Sequence, residues 1–324
     1  MTEKQDLRAL CAGRPVAIVG AGLVGAGWAI VFARAGLSVK MFDANADITR
    51  KAVPLIASQL EGLRRHGLID QDPAAVLARI TPVATLAEAV DGAAYVQESV
   101  LERVDVKRRL MEDLDALLAS DAIVGSSTSG IPGSDFALGL SISPRVLIAH
   151  PVNPPYLVPV VELVPSPETS PATAAFADAL MRAVGQTVVH VRKEVEGFVL
   201  NRLQAVLLRE AWALVQDGVA SCEDIDKTIR DGLGWRWSFM GPFETIDLNA
   251  PGGVADYAVR LGPLYQRIAR AGSHESPWDA ALIGQVEAQR REHLSHADLE
   301  SRRAWRDERL MEFAAARRRE QTPG

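Results

Sequence analysis

The sequence predicts an α/β protein: a Rossmann-type, doubly wound, mainly parallel sheet followed by an all-helical C-terminal domain. Three observations carry that expectation. Short β-branched runs alternate with longer helical stretches as far as Val191. A glycine-rich turn, Gly20-Ala-Gly-Leu-Val-Gly25, lies between the first such run and the first helix. Beyond Val191 the strand signals stop and the pattern becomes helical. With 324 residues and 48% hydrophobic content, the chain has enough length and apolar material for two cores. The join falls at the short charged stretch Arg192-Lys-Glu-Val-Glu196, so the domains are expected at 1–194 and 195–324.

Taken in order, the expected strands are Val16–Val19, Ser38–Phe42, Tyr95–Gln97, Ile123–Gly125, Val146–Ala149, Val160–Val164 and Val188–Val191. Between them, Asp105–Leu118 and Thr173–Val184 carry apolar residues at three and four spacing and read as helices. Phe198 to Trp212 opens the helical domain. Arg302 to Glu320 mixes arginines with Asp307, Glu308 and Glu312, which reads as a solvated amphipathic helix rather than a nucleic-acid arm. The uncharged run Val16 to Ala33 is long enough to imitate a membrane span. Its glycines at 20, 22, 25 and 27 argue against one, since each would weaken a continuous helix by about 1 kcal/mol.

A net charge of −6 with 23% charged residues suggests neither disorder nor a nucleic-acid partner. Two cysteines, Cys11 and Cys222, stand outside any CxxC pairing, which excludes a disulfide framework or zinc ribbon and suits a reducing cytoplasm. The opening Met-Thr-Glu-Lys-Gln-Asp does not read as an export signal. No metal site is expected: His293 and His296 lack a completing third ligand, and His66 and His190 have no neighbouring constellation.

The glycine turn has the context that makes its motif informative. Gly20 permits the tight turn, Gly22 lets backbone approach a pyrophosphate, and Gly25 lets the helix pack on its strand. Ala21, Leu23 and Val24 complete the loop, whose free N–H groups at the helix start suit phosphates. Asp43, just past the second strand, can accept hydrogen bonds from both adenosine ribose hydroxyls, which favours NAD over its 2′-phosphorylated form. Asp43 also fits a helix cap.

Farther along, Ala149-His-Pro-Val-Asn-Pro-Pro-Tyr156 places His150 at a strand end, and Glu162 interrupts an apolar strand. Alcohol oxidation needs a base for the hydroxyl proton, and histidine, with an ordinary pKa of about 6.5, suits that work. A carboxylate on its far nitrogen would fix the tautomer and stabilise the imidazolium. Spacing alone equally allows a structural His150 with Glu162 facing solvent. The serines at 126, 127 and 129 lack a nucleophile elbow and fit a strand-end loop over the cofactor.

These stretches, with Ser126-Ser-Thr-Ser129, Val161-Glu-Leu-Val-Pro165, Gly197-Phe-Val-Leu-Asn-Arg-Leu-Gln204 and Gly241-Pro-Phe-Glu-Thr245, make the chain resemble the L-3-hydroxyacyl-CoA dehydrogenase superfamily over nearly its whole length. Within it, the similarity is greatest to the λ-crystallin/L-gulonate 3-dehydrogenase branch. The resemblance implies that His150 and Glu162 form a catalytic dyad, with Ser129 and Asn201 beside the substrate oxygen. It further implies that Glu102, Lys107, Ser129 and Asn153 contact the nicotinamide half of NAD. Taken alone, Glu102 and Lys107 look like a solvated helix face.

Fatty acyl-CoA members of the superfamily carry aromatics after the histidine, where this chain has His150-Pro-Val-Asn-Pro154, a departure that favours the sugar-acid branch. That branch also carries an arginine at the position of Arg236, which suits a substrate carboxylate or, alternatively, stacking between Trp235 and Trp237 at an interface. The expected activity is NAD-dependent oxidation of a small 3-hydroxy acid, L-gulonate first, held in a cleft against the helical domain. L-carnitine, a short-chain 3-hydroxyacyl-CoA, or a crystallin-like structural role that merely binds NAD(H) are the alternatives. The family also implies a homodimer joined through the helical domains, with no membrane partner.

Overall fold

The computed structural model describes residues 7–271 and 278–321. The reading of the opening six residues lies outside that range. Eight strands form one sheet: β1 (Val16–Val19), β2 (Val39–Phe42), β3 (Ile80–Pro82), β4 (Tyr95–Glu98), β5 (Ile123–Ser126), β6 (Val146–Pro151), β7 (Val160–Pro165) and β8 (Thr187–His190). Their order is β3-β2-β1-β4-β5-β6-β7-β8, parallel throughout except where β7 pairs antiparallel with β6. The longer helices are α1 (Leu23–Arg34), α2 (Ala46–Arg65), α3 (Val104–Leu117), α4 (Pro171–Ala183), α5 (Leu200–Gln216), α6 (Gly253–Ala271), α7 (Ala280–His293) and α8 (Leu299–Gln321). The expected Rossmann-type sheet and helical C-terminal part are both present.

β1, β4 and β5 are buried at every position because helices cover both faces of the sheet, so β1 reads as a continuous apolar run, whereas β4 and β5 end on the buried polar residues Gln97, Glu98 and Ser126. α1 fills one face. Its residues Gly25 through Ala33 are all buried, and a helix enclosed on every side is apolar on every side, which explains why Val16 to Ala33 imitates a membrane span. Among the described residues, no helix is long and apolar enough to cross a membrane. The opposite face is packed by α3 through Leu110, Met111 and Leu114 against Val96 and Val124.

The chain divides into two compact units, 1–201 with 304–324, and 202–303. β3 was not foreseen: Ile80-Thr-Pro82 is three residues with a terminal proline, too short to show periodicity. The last helix is largely exposed, as expected of a solvated amphipathic helix. Met311 is buried against Gly62 of α2, Glu308 bonds His66 at 2.7 Å, and Arg318 bonds Asp70 at 2.9 Å, so one face of α8 is packed. His66 therefore has a partner, as has His190, which lies 3.2 Å from Asp178. The second unit is the helical one. Within it, Ala213, Val215, Thr245 and Leu282 are the buried residues among those described.

Candidate active site

The strand order reverses between β1 and β4, and the carboxyl ends of those strands open the crevice that dinucleotides use in such sheets. The glycine turn lies there. Gly20 adopts φ +97°, and a Cβ at this position would collide with the Ser99 carbonyl. At Gly25 a Cβ would collide with the Gly20 carbonyl, so the turn and α1 close on each other only through glycine. Gly22, the N-cap of α1, provides no side-chain cap, and a Cβ there would meet no atom within 4 Å. The amides of the first turn thus face a space that suits a pyrophosphate.

Asp43 braces this turn. Its Oδ2 accepts the Ala21 N–H at 2.8 Å and its Oδ1 accepts the Asn45 N–H at 2.9 Å, while the helix cap of α2 is supplied by Asn45. Each Asp43 oxygen keeps a second lone pair for a ribose hydroxyl. The residues present fit a dinucleotide.

Two strands away, register brings a histidine and a glutamate together. His150 on β6 stands directly opposite Glu162 on β7 in the antiparallel ladder, so both side chains project from one face. His150 Nδ1 lies 2.7 Å from Glu162 Oε2, and both residues are buried. Glu162 Oε1 accepts the Val199 and Leu200 N–H groups, each at 2.9 Å, which anchors the start of α5. Burial pushes the Glu162 carboxyl up, but the His150 hydrogen bond and these two amides outweigh it and hold it below the usual carboxylate range. His150 Nε2 has no protein partner among the described residues.

Phe198 supports this pair, a contact that the sequence did not reveal although Phe198 lies in the stretch Gly197-Phe-Val-Leu-Asn-Arg-Leu-Gln204. It is buried, holds φ +50°, and sets its ring 5.6 Å from the imidazole. Asn201, in the first turn of α5, donates from its side-chain amide to the Ser129 carbonyl. Ser129 lies just past β5 in the loop that continues from Ser126.

Glu102 is the hub of that loop. Its Oε1 accepts the Thr128 hydroxyl at 2.6 Å, the Ser129 N–H at 2.7 Å, the Ser129 hydroxyl at 3.1 Å and the Gly130 N–H at 3.2 Å. Burial raises the Glu102 carboxyl, and the Thr128 bond, Lys107 and the Ser129 amide more than reverse that. Lys107 is not on a solvated face. It lies on the stripe 107, 110, 111, 114 that α3 buries, with its ammonium enclosed between Glu98 and Glu102. Helical periodicity was the signal that could have revealed its burial, because Lys107 falls one turn before Leu110 and Met111. Asn153 is exposed in the β6–β7 loop. Arg236 belongs to the second unit, on the short helix Gly234–Trp237, with Trp235 exposed beside it.

The chain is similar to known proteins along most of its length. The sequence model of the 3-hydroxyacyl-CoA dehydrogenase NAD binding domain matches residues 15–195, and that of the 3-hydroxyacyl-CoA dehydrogenase C-terminal domain matches 197–291. λ-Crystallin of Oryctolagus cuniculus is 39% identical, covering 94% of this chain and 97% of the relative. L-Carnitine dehydrogenase of Streptomyces griseus is 38% identical, covering 85% and 83%. Among solved structures, 5-formyl-3-hydroxy-2-methylpyridine 4-carboxylic acid 5-dehydrogenase, an NAD+ dependent dismutase, superposes with TM-score 0.80 at 28% identity, covering 94% and 97%. (S)-3-Hydroxybutyryl-CoA dehydrogenase from Ralstonia eutropha gives 0.64 at 31% identity, covering 79% and 88%.

Proposed function

The chain belongs to the 3-hydroxyacyl-CoA dehydrogenase family and is an NAD-dependent oxidoreductase, and on that premise we propose that it oxidises the C3 hydroxyl of a small free 3-hydroxy acid, L-gulonate to 3-dehydro-L-gulonate. The 2.7 Å bond between His150 and Glu162 carries the reading. With Glu162 ionised, the shared proton resides on Nδ1, which leaves the Nε2 lone pair free to act as base. NAD, when bound, supplies the hydride acceptor. His150 takes the hydroxyl proton, Glu162 stabilises the imidazolium, and Ser129 and Asn201 hold the substrate oxygen. Asn201 spends one amide proton on the Ser129 carbonyl and keeps the other for that oxygen.

For the cofactor, Gly20 through Gly25 and Asp43 hold the pyrophosphate and adenosine, while Glu102, Lys107, Ser129 and Asn153 serve the nicotinamide side. Arg236 binds the substrate carboxylate through paired guanidinium hydrogen bonds. An unchanged KM for the acid in Arg236→Met would refute that role.

The free acid is favoured by the His150-Pro-Val-Asn-Pro154 stretch and by the near end-to-end similarity to λ-crystallin. The L-carnitine dehydrogenase relatives support a second reading, the same oxidation on a 3-hydroxy acid bearing a quaternary ammonium. NADH formation from L-gulonate, with L-carnitine inactive and acetoacetyl-CoA not reduced by NADH, is the expected result. Turnover of L-carnitine or acetoacetyl-CoA without L-gulonate would replace the substrate assigned here.

The chain acts as a homodimer joined through the helical unit. With few buried side chains of its own and Phe243, Val259 and Trp235 exposed at 79%, 77% and 73%, that unit carries apolar surface suited to a second copy. A reducing compartment, the cytoplasm, suits its two free cysteines.

A further inference from the structure

The sheet face packed by α1 carries a chain of buried polar groups that the proposed chemistry leaves unused. Tyr95 and Gln97, two apart on β4, project to that face, and both are fully buried. A Cβ at Gly125 would collide with the Tyr95 hydroxyl, so glycine on β5 makes room for it. The phenol donates to Gln97 Oε1 at 2.7 Å. The Gln97 amide nitrogen donates to the Ala149 carbonyl at 3.3 Å and to Ser127 Oγ at 2.7 Å. The indole N–H of Trp28, buried on α1, donates to the same Ser127 oxygen at 3.2 Å, and Ser99 Oγ lies 2.9 Å from it.

The directions of these bonds follow from the groups at their ends. A carbonyl only accepts and an indole only donates, so Gln97 turns its nitrogen toward Ala149 and Ser127 and its oxygen toward the phenol. Burial pushes the Tyr95 phenol above its ordinary range, so it keeps the proton it donates. Ser127 Oγ thus receives two obligate donors, which occupy both its lone pairs, and its own proton goes to Ser99. The Ser99 hydroxyl accepts that bond and has no acceptor for its own proton among the described residues.

Ser99 stands one residue past β4, with its carbonyl against Gly20 and its N–H on the Val19 carbonyl at 2.7 Å. It is half-buried, between the glycine turn and the loop from Ser127 to Ser129. We propose that Ser99 is a cofactor-binding residue whose hydroxyl donates to the ribose on the nicotinamide side of NAD, aimed there by Trp28, Gln97 and Ser127. The ribose follows from order along the crevice: the glycine turn suits the pyrophosphate, the Ser129 loop serves the nicotinamide, and Ser99 adjoins both. The inference rests on the reading of this crevice as the dinucleotide site.

Calorimetric titration of the whole protein with NAD, ADP-ribose and ADP tests it, since ADP-ribose keeps the second ribose and ADP lacks it. Ser99→Ala is expected to weaken NAD and ADP-ribose equally, about three- to tenfold for one neutral hydrogen bond, with ADP affinity unchanged. Unchanged ADP-ribose affinity, or an equal loss for ADP, would overturn the proposal.

Trp28→Phe tests the aiming. It keeps an aromatic ring against Phe32 and frees a lone pair on Ser127 for the Ser99 proton. ADP-ribose should bind more weakly than to the parent but less weakly than to Ser99→Ala, and the double variant should match Ser99→Ala alone. Parental ADP-ribose affinity in Trp28→Phe, or losses that add, would overturn the proposal. If Trp28→Phe does not fold, the three ligands on Ser99→Ala decide. Asp43→Ala separates the two levels of inference. If it leaves ADP affinity unchanged, the reading of the crevice fails; if it weakens ADP while Ser99→Ala changes no affinity, only the role of Ser99 fails.

Discussion

Glu162 serves two partners at once, and the consequences for each are separable. One oxygen orients His150, and the other accepts the two amides that open α5. His150→Gln removes the base but leaves Glu162 anchored to α5. We expect kcat to fall about 10²- to 10⁴-fold with NAD affinity unchanged, measured by initial rates and by titration. A variant with parental turnover would return His150 to a structural role. Glu162→Gln acts on stability as well. The folded carboxyl lies below its ordinary value of 4.5, so between the two values the native state binds fewer protons than the unfolded chain. Its contribution is whole above the ordinary value and is lost as pH falls through the folded one. The variant should therefore be less stable than the parent at pH 7 by about 2 kcal/mol, with the gap closing on acidification below about pH 4. Denaturant midpoints across that range check the sign, and a gap that widens in acid would contradict it.

At the scale of elements, the cofactor helix and the catalytic loop are fitted to each other through Gly27. A Cβ there would lie 2.8 Å from Cδ of Pro155, a ring held in the β6–β7 loop that follows His150. Gly27→Ala should displace that loop by some tenths of an ångström, lower stability by about 1–3 kcal/mol and reduce kcat more than NAD affinity. A thermal melt and steady-state kinetics test this, and parental kcat with a lowered melting temperature would show that the loop relaxes without moving the histidine. These elements were legible in the sequence to unequal degrees. Every strand except β3 was marked by β-branched runs, and the glycine turn was marked by its position between strand and helix. The ladder that sets His150 opposite Glu162 was not legible, because it depends on β7 reversing direction, and neither strand encodes its partner's register. Nor was the bond from His66 to Glu308, whose partners lie 242 positions apart in the sequence.

The whole molecule poses a problem of surface. The first unit covers its sheet with helices and buries Trp28, Phe32, Tyr95 and Phe136. The second has long helices but leaves Leu203, Val206, Trp235, Phe239, Phe243 and Val259 exposed. Composition hinted at this in the mixed polar and apolar pattern from Phe198 to Trp212, but sequence does not distinguish a face turned to a core from one turned to a partner. Large exposed apolar patches are rare on a monomer, and aromatics are enriched where protein surfaces meet. A symmetric dimer uses the same patch on both copies, so one charged substitution is introduced twice across the interface. Phe243→Asp combined with Val259→Asp should shift the protein from dimer to monomer in sedimentation velocity. Because association stabilises the folded state by mass action, the parent's melting temperature should rise with protein concentration and the double variant's should not. The NAD-binding unit holds its own core and its own glycine turn, so the monomeric variant should still bind AMP. A parent that sediments as a monomer at every concentration tested would remove the dimer, and the exposed aromatics would then require a different partner.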